Sequence, residues 1–446
     1  MSVLAQSMVP PPTYVPPRIE PLAAGAPDSG VFVSAVELLN VFVPVLIAAF
    51  AVTLVATPLV RMIAVTSGIV DTPDTSRKFH GRPIAYLGGV AIFLGTMAAV
   101  AASFLAVHSE ALAMMPTPIS ILIGIVAIAF TGLADDIWKL DPRVKIAGQL
   151  VAAAALAYEE IGVGVAQCFL SPLLGSPEVV WMTLGPVALG NADIYYWAGT
   201  ATVAIFVIGG CNSANLIDGL DGLLAGTGSI MALGFLAIAL LVATAMPSTD
   251  PETSLVGVRV VLAMALLGVC LGFLPWNFNP ATIFLGDCGS LLIGYLCVVS
   301  ILMLGETGSA SLVIAGLIVF ALPILDTLLA IIRRKIAGRP LSSADHNHIH
   351  HQIKRALHTV KRAVFALYGI TFMFAGLGAT IAAVTLLTGT RAMVIFALAF
   401  IAFSFVSAVA IKIAAIGRWD VQARSLPQPQ PGDHPSVRHD GVPERL

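Results

Sequence analysis

Asn212, Asn215, Asp218 and Asp221 recur at intervals of three in the stretch "IGGCNSANLIDGLDGLLAG". Amide and carboxylate oxygens are hard donors. They suit Mg²⁺, which commonly completes its shell with substrate phosphates. Each step of three advances a helix by about 300°, so Asn212, Asn215 and Asp218 share one face if the helix continues. Gly219 and Gly222 then permit a tight turn and close approach by a ligand. Asp221 reads equally well as the cap of the next helix.

Three other stretches carry residues of similar promise. In "GLADDIWKL", Asp135 and Asp136 project about 100° apart on a helix, so they cannot serve one ligand in the same way. One could activate a nucleophile while the other holds a base or a metal-bound water; a helix-end charge pair is the structural alternative. In "FLGDCGS", Asp287 lies between Gly286 and Gly289 at a small-residue turn that opens an apolar run. Free backbone N–H groups at such a turn bind phosphate, and the Asp itself would do so through Mg²⁺. Phe284, three residues earlier, could stack on a planar base, or serve as an ordinary lipid-facing or core aromatic. The segment "DHNHIHHQIKR" brings His346, His348, His350 and His351 beside Lys354 and Arg355. No Cys accompanies these histidines and their spacing is not that of a zinc site. With Arg333, Arg334, Lys335 and Arg339 they read as an anion clamp for diphosphate, against the alternative of a solvated loop.

The elements that must position these residues are membrane spans. Of 446 residues, 58% are hydrophobic and only 11% charged, with a mean hydropathy of +0.93. That is too little charge to cover a soluble protein of this length. About 20 apolar residues cross a bilayer as a helix. The sequence predicts eleven such spans, near 36–63, 86–107, 119–134, 146–160, 196–213, 224–246, 257–275, 289–304, 311–332, 364–387 and 392–414. All of the 23 Lys and Arg except Arg18, Arg259 and Arg391 fall in alternate loops or the C-terminal tail. This places those loops and the C-terminus in the cytoplasm and the N-terminus outside. The expected class is an all-α integral membrane protein with its site at the cytoplasmic face. Residues 1–34 are Pro-rich and expected to be disordered, 35–415 form the polytopic domain, and 416–446 form a disordered cytoplasmic tail. The first span serves as an uncleaved insertion signal. The 159–195 loop contains no Lys or Arg, and a partner or regulatory role stays open for it. The five cysteines lack metal-ligand spacing.

On this topology every polar stretch faces the cytoplasm, including "DTPDTSRKFHGRPIAYLGG" at 71–89 with its Lys78. Acids bordering a bilayer are costly and mark function. Oxygen donors, cationic phosphate binders and a base platform at one membrane surface suit phosphoryl-type transfer from a soluble nucleotide donor to a lipid acceptor. An ion-coupled transporter is the opposing class, but it would favour midplane charges and repeated halves.

Taken in order, "GGVAIFLG", "ADDIWKL", "NSANLIDGLDGL", "NFNPATIFLGDCGS" and "DHNHIHHQ" resemble the polyprenyl-phosphate N-acetylhexosamine-1-phosphate transferases, the family that includes MraY and WecA. The resemblance covers about residues 40–415. It implies Mg²⁺-dependent transfer, with Mn²⁺ as a substitute, of a sugar-1-phosphate from a UDP-N-acetylhexosamine to undecaprenyl phosphate. The products are a lipid-diphosphate-sugar and UMP, formed in the inner (plasma) membrane without nucleic acid. By motif position Asp135 resembles the aspartate that activates the lipid phosphate, Asp136 its partner, and Asp218 a further essential acid. Asn215 and Asp287 match metal positions. Lys145 matches a phosphate-side base, Asn277 and Phe284 match uracil contacts, and His348, His350 and His351 match the diphosphate-side motif. Lys78 and Asn212 are further substrate-binding candidates, and a homodimer is among the expected states. "HNHIHHQ" looks like the WecA and TagO branch, which transfers N-acetylglucosamine phosphate or a relative. The muramyl-pentapeptide branch, the alternative, typically carries three consecutive histidines. The Pro-rich N-terminus and the base-free loop depart from the family pattern.

Overall fold

A capping box opens the first span. Ser34 Oγ accepts from the Glu37 N–H at 3.2 Å, and the Glu37 carboxylate accepts the Ser34 N–H at 2.8 Å, which satisfies helix-end donors at both residues. The computed structural model describes residues 34–71, 84–107, 116–184, 187–246, 255–336, 338 and 348–388, with a few single positions from 397 to 408. The N-terminal segment, Lys78, His346, Arg339, most of the expected 392–414 span and the C-terminal tail lie outside the described residues.

Among the described residues, eight helices are long and apolar enough to cross a membrane: α1 (Ala35–Thr66), α2 (Gly88–Val107), α3 (Ile119–Trp138), α6 (Asn191–Ile217), α7 (Leu223–Ala245), α8 (Val256–Asn277), α9 (Gly286–Gly305) and α13 (Val360–Thr388). Two bent pairs raise the number to at most ten among the described residues. The first joins α4 (Pro142–Tyr158) to α5 (Val163–Leu174) at 67°. The second joins α10 (Ala310–Val319) to α11 (Ala321–Ile336) at 77°. A short amphipathic α12 (Ile349–Leu357) precedes α13. The protein is therefore a multi-pass membrane protein.

Two expectations need correction. The 311–332 segment is not one straight helix. Pro323 has no N–H to donate back to the Val319 carbonyl and its ring crowds that turn, so the helix breaks there. The 159–195 segment is not a plain loop. It folds into α5 and a hairpin of β3 (Val180–Leu184) and β4 (Val187–Gly190). A second two-stranded sheet pairs β1 (Val70–Asp71) with β2 (Ile84–Ala85), so the fold is helical with two small antiparallel additions.

α9 is the central post. Every residue of it except Asp287 is buried, as suits a helix that is apolar all round. Neighbours approach through small residues. A Cβ on Gly89 of α2 would strike the Gly289 backbone, and one on Gly132 of α3 would strike Cys288. This close approach carries the acidic end of α3 to the first turn of α9.

Candidate active site

The site is built around that first turn. Gly286 has φ +71°, a left-handed conformation that glycine adopts without strain. A Cβ there would lie 2.6 Å from Asp136 Oδ2. The strand-like run before it is clamped to β2: the Phe284 N–H donates to the Ala85 carbonyl at 2.9 Å, and the Gly88 N–H to the Phe284 carbonyl at 3.0 Å. Asp136, buried, accepts the N–H of Asp287 at 2.8 Å and of Cys288 at 3.1 Å. It thereby caps two orphan donors of α9 and is positioned to favour the positive end of the helix dipole.

The Asp287 side chain faces three other helices. Asn215 on α6 donates to its Oδ1 at 2.7 Å and to Ser290 Oγ at 2.8 Å. The Lys145 ammonium on α4 pairs directly with Asp287 Oδ2, and lies 3.8 Å from Asp135 Oδ2 on α3. Local sequence explains the Lys145 placement. Lys139 takes a left-handed conformation that ends α3, and the Leu140 N–H donates back to Asp135 Oδ1 at 2.9 Å. Asp141 then caps α4 by accepting the Arg143 N–H at 2.8 Å, with Pro142 in the first turn.

Asp218 sits just past the end of α6, at φ −74° and ψ 56°, so the helical stripe contains Asn212 and Asn215 but not Asp218 itself. Its pKa is raised to about 8, first by burial and then by Asp287, Asp136 and Asp221. A cation placed among these carboxylates would favour the ionised form instead. Asp221 does not cap α7, whose N-cap is Gly222 without a side-chain bond. It reaches across to accept from Asn279 Nδ2 at 2.8 Å and the Ala281 N–H at 3.0 Å. Asn212 turns away from Asp287 and donates to Gln149 Oε1 and the Ile208 carbonyl, both at 2.8 Å.

Asn277 and Phe284 lie on the far side of the turn. Asn277 is buried; its Oδ1 accepts the Gly222 N–H at 3.0 Å and its Nδ2 donates to the Ile283 carbonyl at 3.0 Å. It locks the "NSANLIDGLDG" turn to the segment before α9. Phe284 is half-buried, edge-on to Tyr86 with ring centres 5.9 Å apart.

The histidine segment reaches the same turn, since a Cβ on Gly219 would strike His350 Nε2. His348 Nδ1 bonds Asp326 Oδ2 at 2.9 Å, the Ile349 N–H donates to Asp326 Oδ1 at 2.6 Å, and His350 Nδ1 lies 3.6 Å from Asp326. The His348 and His350 rings stack at 5.5 Å. His351 is held neutral near pH 7. Burial, then His350, His348, Lys354 and Arg355, lowers its pKa to about 4. In the anion clamp expected from the sequence, His351 would therefore contribute as a neutral hydrogen-bonding imidazole, with the charge coming from Lys and Arg.

Three residues were missed by sequence reasoning. Asp326, fully buried on α11, orients the histidine pair. A lone acid inside the apolar run "VFALPILDTLLAII" was the available signal. Tyr86 and Lys139 form the other two, with the Lys139 ammonium 5.2 Å from the Tyr86 ring centre. They line an open cavity of about 370 Å³ with Gly68, Asp71 and Asp136. The Tyr86 phenol is pushed up to about 12 by burial and then by Asp71, Asp136, Asp287 and Asp218, so it remains a donor at neutral pH.

Four helices therefore bring Asp135, Lys145, Asn215 and Asp287 to one point, with carboxylates in excess of cations. Among the described residues no three His, Cys, Asp or Glu are close enough to hold a metal alone. A divalent ion here would draw part of its shell from substrate phosphate and water, the usual habit of Mg²⁺.

Comparison with known proteins places the chain in context. A family model described as glycosyl transferase family 4 matches residues 118–305. A probable undecaprenyl-phosphate N-acetylglucosaminyl 1-phosphate transferase of Bacillus subtilis is 32% identical over 325 residues, covering 72% of this chain and 79% of that protein. A decaprenyl-phosphate N-acetylglucosaminephosphotransferase of Mycobacterium tuberculosis is 36% identical over 336 residues, covering 71% and 76%. A phospho-N-acetylmuramoyl-pentapeptide-transferase of Pelotomaculum thermopropionicum is 30% identical over 347 residues, covering 74% and 94%.

Proposed function

The chain belongs to the MraY/WecA superfamily of polyprenyl-phosphate sugar-1-phosphate transferases, and from that premise we propose that it transfers N-acetylglucosamine-1-phosphate from UDP-N-acetylglucosamine to undecaprenyl phosphate. An oxygen of the lipid phosphate attacks the phosphorus bonded to the sugar. The bond between that phosphorus and the bridging oxygen breaks, and UMP leaves with the electron pair. The reaction occurs at the cytoplasmic face of a bacterial inner membrane, the side to which the basic loops assign the site, and is the first membrane step of a cell-envelope glycan.

The observation that carries this reading is the meeting of Asp135, Lys145, Asn215 and Asp287 at the first turn of α9. Lys145 lies between two carboxylates and can pass from them to a phosphate oxygen as substrate enters. Asp135 orients the acceptor phosphate; deprotonation is a lesser task, since a phosphate monoester has a second pKa of about 6. Asp136 keeps the α9 N–H groups aimed at the site. Asp287 and Asp218 would hold Mg²⁺, and Asn215 orients Asp287 or, with its amide turned over, ligates through oxygen. Bound Mg²⁺ would supply charge neutralisation at the diphosphate. In this reading His351, Lys354 and Arg355 meet the donor's phosphates, and Phe284 meets its base.

Purified protein, undecaprenyl phosphate and a set of radiolabelled UDP-sugars test the reading directly. Label should enter the lipid from UDP-N-acetylglucosamine, with release of UMP. Labelling only from the UDP-muramyl-pentapeptide would move the protein to the other branch. Orientation is tested by Ser343→Cys in a cysteine-free background. An impermeant reagent that labels intact cells from outside would overturn the assigned side.

A further inference from the structure

The 159–195 segment takes no part in the proposed reaction, since it stands at the opposite end of α6 and α9 from the site. Its hairpin is firmly placed. Asn191, buried at the start of α6, donates through Nδ2 to the Leu174 carbonyl at 2.6 Å and the Ser176 carbonyl at 2.8 Å. The Asn191 N–H donates to the Val179 carbonyl at 2.9 Å, and the Tyr195 hydroxyl to the Gly175 carbonyl at 2.6 Å.

What this frame presents is apolar. Val180 pairs with Gly190 and Met182 with Leu189, which leaves Trp181 as a bulge residue between them, and bulges commonly re-aim a side chain. Val180, Trp181 and Met182 are 54%, 57% and 51% exposed, so successive side chains of β3 are not buried against the helices. Leu173 on α5 and Trp197 in the second turn of α6 are exposed as well. A two-stranded hairpin is marginal in water by itself, and an apolar patch of this kind needs a partner.

The geometry points to a lipid surface as that partner. We infer that the hairpin and α5 form an interfacial anchor, seated among the headgroups of the leaflet opposite the active site. Three observations favour lipid. The hairpin runs directly into α6, a helix long and apolar enough to span a membrane. Trp181, Tyr196 and Trp197 are of the type that collects at the boundary between hydrocarbon and water. The segment has no Lys or Arg. Of its four acids, Glu159 and Asp193 are engaged with the backbone at Ser120 and Gly190, while Glu160 and the exposed Glu178 add negative charge that disfavours anionic headgroups. Anionic headgroups are recruited by basic residues, so the surface recognised is zwitterionic. This inference does not depend on the reaction.

Full-length protein in phosphatidylcholine nanodiscs with brominated acyl chains tests it. Emission of the parent minus that of Trp181→Phe isolates Trp181, and Met182→Trp in the Trp181→Phe background provides a second reporter. Brominated lipid should quench both signals at least about twofold, as expected for an interfacial indole. Aqueous iodide should quench neither comparably, and added phosphatidylglycerol should change nothing. Quenching by iodide but not by bromine would put the hairpin in water and overturn the inference. Insensitivity to both would place protein over it and overturn it equally, with cross-linking at the hairpin then identifying a second copy.

Discussion

At the Gly305 end of α9, about 30 Å from its Gly286 end by helical rise, acidic side chains serve the backbone. Glu159 accepts from the Ser120 N–H and hydroxyl, Glu306 from the Gly162 N–H, and Asp193 from the Gly190 N–H. Among the described residues the one buried cation there, Arg259, donates to the Met303 carbonyl at 3.0 and 2.9 Å. At the Gly286 end Asp136 gives both oxygens to the backbone, Asp135 gives one to the Leu140 N–H and Asp221 one to the Ala281 N–H. Asp135 and Asp287 share Lys145, and Asp218 sits past a helix end with other acids nearby. The two ends contain similar residue types, so residue type alone does not mark a site. What marks it is acidic charge beyond what the helix ends can use.

The largest effect should follow removal of that surplus. Asp287→Ala should lower the transferase rate by about a hundredfold or more, because metal stabilisation of phosphoryl charge is worth several kcal/mol. The melting temperature should hold, since the carboxylate also repels its neighbours. EDTA should abolish activity of the parent and excess Mg²⁺ restore it; full activity in EDTA would remove the metal from the account.

Next in size is the contrast between Asp218 and Asp221. Asp218→Asn should lose at least about tenfold in rate per milligram of monodisperse protein, as loss of a charge that acts on metal or phosphate does. Asp221→Asn should keep a substantial fraction, because an amide oxygen can still accept from Asn279 and Ala281. Equal loss in both would mean that the surplus extends to Asp221.

Asp136→Ala breaks the rule that separates the two ends, since it removes a capping acid from inside the site. Two buried N–H groups lose their acceptor, which should lower stability by about 1–3 kcal/mol. Activity should fall with it because the first turn of α9 is no longer held. Chemical denaturation and the rate assay together check this; an unchanged stability would show that Asp136 belongs with the surplus.

The smallest effect is expected at the other end. Glu306 has its pKa raised to about 7, by burial first, against the lowering effects of the Gly162 N–H and Arg259. A raised carboxyl favours the folded state while protonated. Its contribution is fully present below about 4.5 and is lost as pH rises through about 7. Glu306→Gln should therefore flatten the decline in melting temperature across that window and leave the transferase rate unchanged. A change in rate would show that the two ends communicate.

Several of these relations are legible in the sequence. Spans longer than a bilayer needs, the Gly-rich turn after Asn215 and the small-residue opening of α9 follow from composition and near-neighbour spacing. These are properties that act over a few residues or one span, so the chain by itself determined them, along with a polar cluster at one membrane side and the family resemblance. Other features needed the fold. Asp135 and Asp136 are adjacent, yet one faces Lys145 and the other the N–H groups of Asp287 and Cys288, a division set by how α3 packs on α9. Asn212 and Asn215 share a helix face, yet Gln149 draws one aside while Asp287 engages the other. Asp326 holds the histidine segment from α11, 22 residues earlier in the chain. Each of these depends on groups tens to more than a hundred residues apart, whose meeting is decided by helix packing and by no local preference of the chain.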